Sequence, residues 1–196
     1  MQIIFATKNA GKVKEVKMLL SDLDADIFTM SEVGIDIDVE EDGKTFEENA
    51  LIKAKAVMEE SDCLVLADDS GLEIDYLNGE PGVHSARFLG HDTPYDIKNN
   101  RILHMLEGVP EEERTARFVS VIAAAFPDGR TVTVRGTVEG IIGYEQKGKN
   151  GFGYDPIFYI PELGMYSAEL SLEEKNKISH RGKALRLMKE KLKEMM

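Results

Sequence analysis

The sequence lacks several features that would assign it to a specialised class of protein. Its 196 residues include one cysteine, Cys63, so a disulfide framework is excluded and a buried thiol is expected. No apolar run reaches the roughly 18 residues of a membrane span, so no membrane partner is expected. The apolar stretch in the opening residues MQIIFA is too short for the core of a signal peptide, and we therefore expect a cytoplasmic protein.

Basic residues are also scarce. The chain has 24 Lys and Arg against 36 Asp and Glu, which gives a formal net charge of −12. A protein that holds long nucleic acid usually carries a basic stripe, so we expect no such partner. Lysines do gather near the N-terminus, at Lys8, Lys12, Lys14 and Lys17. Most of them are expected on solvated helix faces, but such a cluster can also bind a small anion.

Hydrophobic patterning predicts an α/β protein in one domain, residues 1–196, with a central mixed sheet flanked by helices. Strands are expected at residues 2–6, 35–39, 63–67 and 156–160, and a hairpin at 115–126 and 130–138. Helices are expected at 12–20, after the capping pair Thr45 and Glu48, from Thr93-Pro94, after the capping pair Ser171 and Glu174, and from about Arg181 onwards. A GxGxxG or Walker lysine motif is absent.

The segment ATKNAGK, residues 6–12, joins a predicted strand to a predicted helix. A helix start offers unpaired N–H groups and a partial positive charge, which suit phosphate. Thr7 and Asn9 can donate hydrogen bonds, Gly11 allows close approach of the backbone, and Lys12 adds a full charge. An ordinary strand–helix turn with an N-cap explains the same residues equally well.

Two adjacent acids, Asp68 and Asp69, follow the predicted strand 63–67. Strand ends in α/β sheets open into the ligand crevice, and neighbouring carboxylates repel each other there unless a cation lies between them. Mg²⁺ is the cation expected, because it binds through one or two carboxylates together with substrate phosphates. An Asp-Ser-Gly turn is the structural alternative.

The acidic segment Glu40-Glu41-Asp42 lies just before the helix that is expected after Thr45. Its carboxylates could hold a hard cation, although most acids at a helix start suit the surface and the helix dipole. Asn49 and Lys53 lie four residues apart and therefore share one face of that helix. A polar pair beside an apolar stripe can mark the edge of a site.

Two further segments combine glycine, aromatic and basic residues. In GKNGFGYDP, residues 148–156, the rings can stack on a base and the glycines let it approach the backbone, whereas a flexible hairpin loop with a core aromatic residue is the alternative. At a predicted helix–helix junction, Lys175, His180 and Arg181 can donate to a base carbonyl. A lone histidine would more often be structural, but here it lies beside an arginine.

Taken together, these segments resemble the non-canonical purine nucleoside triphosphate pyrophosphatases, the inosine triphosphatase-like or XTP/dITP diphosphatase family. The matching stretches run in order along the chain: ATKNAGK (6–12), EEDGKTFEENALIKAKA (40–56), LADDSGLEIDYLNGEPGVHSARF (66–88), GFGYDPIF (151–158) and AELSLEEKNKISHRGKAL (168–185). The resemblance implies hydrolysis of ITP, dITP, XTP and dXTP to the monophosphate and pyrophosphate, with Mg²⁺ as cofactor. It also implies a homodimer and two lobes with an active-site cleft between them.

The resemblance assigns roles to individual residues as well. Asp69 would accept a proton and, with Glu40, ligate the metal, while Asp68 would be either a further ligand or a partner of the ligands. Lys12 would assist catalysis. The substrate-binding residues that it implies are Thr7, Lys8, Asn9, Ala10, Gly11, Lys12, Lys53, Ser70, Phe152, Gly153, Tyr154, Asp155, Lys175, His180 and Arg181.

Three other functions compete with this interpretation. A related pyrophosphatase could act on pyrimidine or modified-base triphosphates, although the SHR and GFGYD stretches argue against it. A nucleotide sensor without turnover would be expected to lack the paired acids Asp68 and Asp69. A purely structural subunit would have little use for the glycine-rich aromatic loop, whose backbone entropy is costly to fix.

Overall fold

The computed structural model describes residues 2–195 and contains one seven-stranded sheet. The strands are β1 (Gln2–Ala6), β2 (Asp26–Thr29), β3 (Leu64–Ile74), β4 (Thr115–Ala125), β5 (Thr131–Ile142), β6 (Phe158–Ile160) and β7 (Met165–Tyr166). Their order across the sheet is β2-β1-β3-β4-β5-β6-β7. β1 runs parallel to β2 and β3, whereas β6 runs antiparallel to β5 and β7, which confirms the predicted mixed sheet.

Three helices begin directly after a residue whose side chain caps them, Asn9, Thr45 or Ser171. The helix expected from Thr93-Pro94 begins after Pro94, but the Thr93 hydroxyl donates to the Leu89 carbonyl at 2.6 Å and does not cap it. The helices are α1 (Ala10–Leu19), α2 (Phe46–Ser61), α3 (Tyr95–Met105), α4 (Leu172–Ile178) and α5 (His180–Met195). At α4, Ser171 and Glu174 form both contacts of the predicted capping box. At α2, Thr45 caps the helix as predicted, but the Glu48 carboxylate accepts from the Lys44 N–H at 2.6 Å.

One predicted strand is wrong. Residues 35–43 have no regular secondary structure, and the strand that neighbours β1 at the sheet edge is the unpredicted β2, Asp26–Thr29. The alternation of IDIDV has no neighbouring strand to pair with, and a period of two alone does not make a strand. The segment from 35 to 43 is therefore an irregular connection between β2 and α2.

β3 is longer than its predicted end at residue 67. It continues through Asp68, Asp69, Ser70 and Gly71, so the two acids lie within a strand, and the Asp-Ser-Gly turn is wrong. The apolar run and the pairing with β1 both end at Ala67, but β3 continues, because it has a second neighbour in the sheet, β4. Backbone pairing thus fixes both carboxylates on a rigid element.

The chain divides into two compact units. The first unit comprises Met1–Asp69, Ser120–Gly136 and His180–Met196, and the second comprises Ser70–Val119 and Thr137–Ser179. The core of the first unit includes Ile3, Phe5, Val16, Leu66, Ile122, Leu185 and Met188. The core of the second includes Leu72, Ile74, Ile102, Phe118, Ile157 and Phe158. Among residues 2–195, none of the helices combines the length and apolar character that a bilayer crossing requires.

Candidate active site

The predicted phosphate loop lies in the first unit, between β1 and α1. Asn9 caps α1, and its side chain accepts from the N–H groups of Gly11 at 2.9 Å and Lys12 at 3.2 Å. The Thr7 hydroxyl accepts in turn from the Asn9 N–H at 3.1 Å. The N-cap alternative is therefore confirmed, and a phosphate that used these amides would replace the Asn9 side chain.

The outer side of this loop lines a groove of about 770 Å³, to which Thr7, Lys8 and Ala10 contribute. The exposed Lys8 ammonium lies 3.2 Å from the Asp36 carboxylate and 3.9 Å from that of Asp38. Surface pairs of this kind contribute little to stability, so Lys8 can exchange a carboxylate for a phosphate at low cost.

A chain of alternating charges is buried beside the loop. Lys12 Nζ lies 2.9 Å from Asp68 Oδ2, and Arg181 Nε lies 3.3 Å from the same oxygen. The Arg181 guanidinium also pairs with Glu15, which lies one turn beyond Lys12 on α1. Asp68, Glu15 and Arg181 are each at most 2% exposed. Three elements of the first unit, α1, β3 and α5, are thus joined by charge-assisted contacts.

The cations of this chain keep Asp68 ionised. Burial alone would raise the pKa of Asp68, but Lys12, Arg181 and Lys53 together hold it well below its usual range. Burial lowers the pKa of Lys12 despite the opposing effect of Asp68, and the neighbouring Arg181 and Lys53 lower it further. The Asp68 carboxylate is committed to cations of the protein itself, which favours the role of partner over that of metal ligand.

Asp69 has the opposite electrostatic environment. It is 7% exposed, and its pKa is raised from 3.8 to about 6, chiefly by burial. The nearby carboxylates of Glu41 and Asp68 raise it as well, whereas Lys53 and Lys12 only partly oppose the shift. Two adjacent acids therefore have pKa values that diverge, an arrangement that separates a permanently charged group from one that can take up a proton.

Glu41 is the member of the acidic segment that approaches Asp69. Its carboxylate pairs with Lys53, whose ammonium also donates to the Asp68 carbonyl at 2.9 Å. Burial lowers the pKa of Lys53, but Asp68 and Glu41 outweigh it and leave the pKa raised. The predicted ligand Glu40 is exposed, in contrast to Glu41, which is half-buried. Among the carboxylates of the acidic segment, the structure thus favours Glu41 as a candidate metal ligand.

The predicted base-binding loop lies in the second unit and is firmly held. The Asp155 carboxylate accepts from the Phe152 N–H at 2.9 Å, Lys175 Nζ at 2.7 Å and the Ser167 hydroxyl at 2.9 Å. Gly151 has a φ of +72°, and a side chain there would meet Asp155 Oδ2 at 2.2 Å. These contacts give the loop a defined conformation, which argues against the flexible part of the alternative, whereas the buried Tyr154 agrees with its core aromatic residue.

The two aromatic residues of this loop differ in accessibility. Phe152 is half-buried, with Lys175 Nζ 4.7 Å from the ring centre, so a planar ligand could stack on it. Tyr154 is buried, and its hydroxyl donates to the Ser85 carbonyl at 2.6 Å, which indicates a structural role. Gly153 accepts from Asn99 through its carbonyl at 3.1 Å, and Ser70 is half-buried in β3.

Comparison with known proteins places this geometry in a family. The model of the Ham1 family matches residues 3–191. The chain belongs to the Ham1 family. A curated relative, the dITP/XTP pyrophosphatase of Desulforamulus reducens, is 52% identical over 186 residues, which cover 95% of this chain and 92% of the relative. The dITP/XTP pyrophosphatase of Thermoanaerobacter sp. is 49% identical, with coverage of 96% and 95%.

Solved structures of Ham1 proteins have the same fold. The Staphylococcus aureus Ham1 protein is 42% identical, with a TM-score of 0.90 and coverage of 100% of both chains. A HAM1 protein from Coxiella burnetii is 41% identical, with a TM-score of 0.90 and coverage of 99% of both chains. Together with the family match, these similarities confirm the resemblance and fold class that the sequence predicts.

Two acids of this Ham1 chain were not singled out from the sequence: Glu15 was not considered, and Glu41 was one of several carboxylates expected to be able to hold a cation. Glu15 is the one acidic residue of α1, and its burial agrees with its pairing with the distant Arg181. Its spacing of three residues from Lys12 was the available signal, since it places both on one face of α1. Glu41 could not be separated from Glu40 in an acidic run, because side-chain direction there depends on an irregular backbone.

Gly136 of β5 controls how closely that strand approaches α5. A side chain at position 136 would lie 2.2 Å from the His180 carbonyl oxygen and 2.7 Å from the Ala184 nitrogen. We therefore expect Gly136→Ala to displace the first turn of α5, which carries His180 and Arg181. The free energy of unfolding should fall by about 1–3 kcal/mol, as measured by urea denaturation.

The matched control is Thr133→Ala, at an exposed position of the same strand. Its effect should stay below about 1 kcal/mol, the span of intrinsic strand preferences. Equal stabilities for the two variants would show that α5 can move without loss, contrary to the close contact.

Proposed function

We propose that this chain hydrolyses non-canonical purine nucleoside triphosphates, ITP, dITP, XTP and dXTP, to the monophosphate and pyrophosphate. The observation that carries the proposal is the divergence between Asp68, held ionised by Lys12 and Arg181, and Asp69, buried with a pKa near 6. The names of the curated Ham1 relatives, dITP/XTP pyrophosphatases, support the same reaction. The role would be removal of deaminated purines from the nucleotide pool.

The residues around Asp69 fit Mg²⁺ as the cofactor. Asp69 and Glu41 offer carboxylate oxygens whose mutual repulsion a divalent cation would relieve. Within residues 2–195, no group of three or more His, Cys, Asp or Glu side chains forms a complete metal site. Mg²⁺ commonly binds through one or two carboxylates plus substrate phosphates, so a sparse protein site is what an ion that arrives with its triphosphate requires. We propose Asp69 with Glu41 or Glu40 as the ligands.

The remaining groups of the first unit would bind the triphosphate and orient water. Most catalysis of phosphoryl transfer is positioning and charge neutralisation. Lys12 would neutralise charge on the departing pyrophosphate, and Thr7 and Asn9 would hold the phosphate chain beside it. Asp69 would orient the attacking water and take its proton, and without metal its pKa of about 6 lies above that of a free aspartate. When bound, Mg²⁺ would polarise the phosphate and acidify that water.

Base selection follows from hydrogen-bond polarity. Hypoxanthine and xanthine present an acceptor at position 6, which suits donors, whereas adenine presents an amino group there. The resemblance assigns this recognition to Lys175, His180 and Arg181, with Phe152 as the stacking surface. A mismatch that leaves donors facing donors can reject a competitor by large factors. Guanine shares the 6-oxo group and must be rejected at its 2-amino group.

The remaining features of the proposal rest on the resemblance. We propose a single two-lobed domain with an active-site cleft, a homodimer, and action in the cytoplasm, where the nucleotide pool lies. The experiment that tests the function measures pyrophosphate and phosphate released from ITP, XTP, GTP and ATP, with Mg²⁺ or with a chelator. We expect pyrophosphate from ITP and XTP, Mg²⁺ dependence, and much slower release from GTP and ATP.

Three results would contradict the proposal. Orthophosphate as the first product would indicate cleavage at the γ-phosphate. Tight binding of ITP without turnover would indicate a nucleotide sensor. Faster turnover of pyrimidine triphosphates, added to the same panel, would indicate a pyrophosphatase of different base specificity.

A further inference from the structure

The acidic segment that carries Glu41 needs a fixed backbone. Residues 35–43 have no regular secondary structure, yet Glu41 pairs with Lys53 and acts electrostatically on Asp69. An irregular segment positions a side chain only where other groups bind its backbone. The contacts that hold residues 41–44 therefore decide where the Glu41 carboxylate lies.

Asn49 supplies the most buried of these contacts. It lies in the first turn of α2, is 0% exposed, and accepts through Oδ1 from the Gly43 N–H at 2.8 Å. The approach is so close that a side chain at position 43 would lie 2.6 Å from Asn49 Oδ1 and 2.7 Å from the Glu48 Cβ. Gly43 and Asn49 thus form a tight backbone–side-chain pair at the start of the helix.

The same face of α2 binds the segment at a second point. Lys53 lies one turn beyond Asn49 and pairs with the Glu41 carboxylate. Asn49 therefore holds the backbone just after Glu41, and Lys53 holds its side chain. Two points of attachment separated by two residues leave the carboxylate little freedom.

A buried Asn at position 49 does not give the protein the greatest folding stability. Its Nδ2 group is buried and has no hydrogen-bond acceptor among residues 2–195. An unsatisfied buried donor costs about 1–3 kcal/mol, and an apolar side chain of similar shape would avoid that cost. What an apolar residue could not supply is the acceptor for the Gly43 N–H.

We propose that Asn49 is a positioning residue, which fixes the Glu41–Gly43 segment so that Glu41 and Asp69 can bind one divalent cation together. The inference rests on the proposed function for the identity of that cation's site. It adds a residue that does not touch the metal itself. Partners of this kind typically affect metal affinity by about 10-fold to 100-fold when they are removed.

The test is Asn49→Leu, which keeps the approximate shape and removes both the acceptor and the unsatisfied donor. Binding of Mn²⁺ is measured by the loss of its free-ion paramagnetic resonance signal, in the presence of the non-hydrolysable α,β-methylene analogue of ITP. We expect the apparent Kd for Mn²⁺ to rise at least about 10-fold. The Tm in the absence of metal should stay close to that of the wild type, because removal of the unsatisfied donor offsets loss of the acceptor for the Gly43 N–H. Weaker metal binding at unchanged stability is a combination that a merely structural role would not produce.

Two companion variants sharpen the result. Gly43→Ala moves the segment by steric contact and should weaken Mn²⁺ binding as well, so it decides the question if Asn49→Leu fails to fold. Glu48→Gln keeps an acceptor for the Lys44 N–H and should bind Mn²⁺ like the wild type.

Failure of this inference is distinct from failure of the proposed function. If the wild type cleaves ITP and binds Mn²⁺, but Asn49→Leu and Gly43→Ala bind it equally well, Asn49 has no positioning role. A lowered Tm with unchanged Mn²⁺ affinity would likewise assign Asn49 to stability alone. If the wild type neither cleaves ITP nor binds Mn²⁺ with the analogue, the proposed function itself is wrong.

Discussion

Replacing Asp69 by Asn is expected to abolish pyrophosphate release from ITP and at the same time to make the metal-free protein more stable. Loss of a general base alone lowers rates by roughly 100-fold to 10,000-fold, and loss of a metal ligand adds to this. The gain in stability arises because the folded protein holds the Asp69 carboxylate in a buried place where ionisation is unfavourable.

The magnitude and the pH dependence of that gain follow from the pKa of Asp69. Its value of about 6 in the folded protein exceeds the ordinary 3.8, so the folded state binds the proton more tightly than the unfolded state. At about 1.4 kcal/mol for each pH unit, the wild type loses roughly 3 kcal/mol as the pH rises from below 4 to above 6. Asn cannot ionise, so the advantage of the variant should be full at pH 8 and absent at pH 3.5.

The neighbouring acid provides a matched control with the opposite sign. Asp68→Asn makes the same chemical change one residue earlier in β3, but it leaves Lys12 and Arg181 without their shared carboxylate. Breaking a buried ion pair on one side typically costs about 3–5 kcal/mol. Urea unfolding at pH 8 with a chelator should therefore rank Asp69→Asn above the wild type and Asp68→Asn below it. Destabilisation by both variants would contradict the raised pKa of Asp69.

Those opposite signs show what the sequence alone could not predict. Asp68 and Asp69 are identical residues side by side, and both were sensible metal ligands. Their difference comes from Lys12 on α1 and Arg181 on α5, which approach Asp68 only after the chain has folded. Burial and nearby charges determine the pKa of a carboxylate, and the residues adjacent to it in the sequence predict neither of them.

Local features were predicted better. The N-caps Thr45 and Ser171 were correct because a cap depends on residues within one turn of the helix. The predicted end of β3 was wrong, because the length of a strand depends on neighbouring strands that lie far away in the sequence. The strand expected at 35–39 failed for the same reason, since alternation without a partner leaves backbone groups unpaired.

For the aromatic loop, residues 148–156, the sequence predicted the general type of contact but not the hydrogen bonds that hold the loop. The Gly-rich pattern around Phe152 indicated close contact of backbone and ring, and the half-buried ring agrees with that. The pattern did not show that Asp155 accepts from three donors, two of which, Ser167 and Lys175, come from later segments of the chain. A carboxylate that already accepts three hydrogen bonds holds the loop in place and has little remaining capacity to bind a base directly.

Arg181 is where the structure most changes the expectation from sequence. The resemblance assigns it to the base, and its removal would then reduce the preference for ITP over ATP. In the structure, however, its guanidinium is 2% exposed and paired with Glu15 and Asp68. We therefore expect Arg181→Met to lower kcat/KM for ITP and ATP by similar factors. The free energy of unfolding should fall by about 3–5 kcal/mol, because the buried carboxylates of Glu15 and Asp68 each lose the guanidinium as an ion-pair partner.

A double-mutant cycle separates this role from base recognition. Glu15→Leu with Arg181→Met removes the buried pair together, so the double variant should be less destabilised than the sum of the single variants. The coupling is expected to lie between about 0.5 and 3 kcal/mol, measured by urea unfolding. If Arg181 acts through Asp68 and Lys12, neither single variant should change the ratio of kcat/KM for ITP to kcat/KM for ATP. If Arg181→Met instead lowered the preference for ITP over ATP and left the free energy of unfolding unchanged, Arg181 would be assigned to recognition of the base.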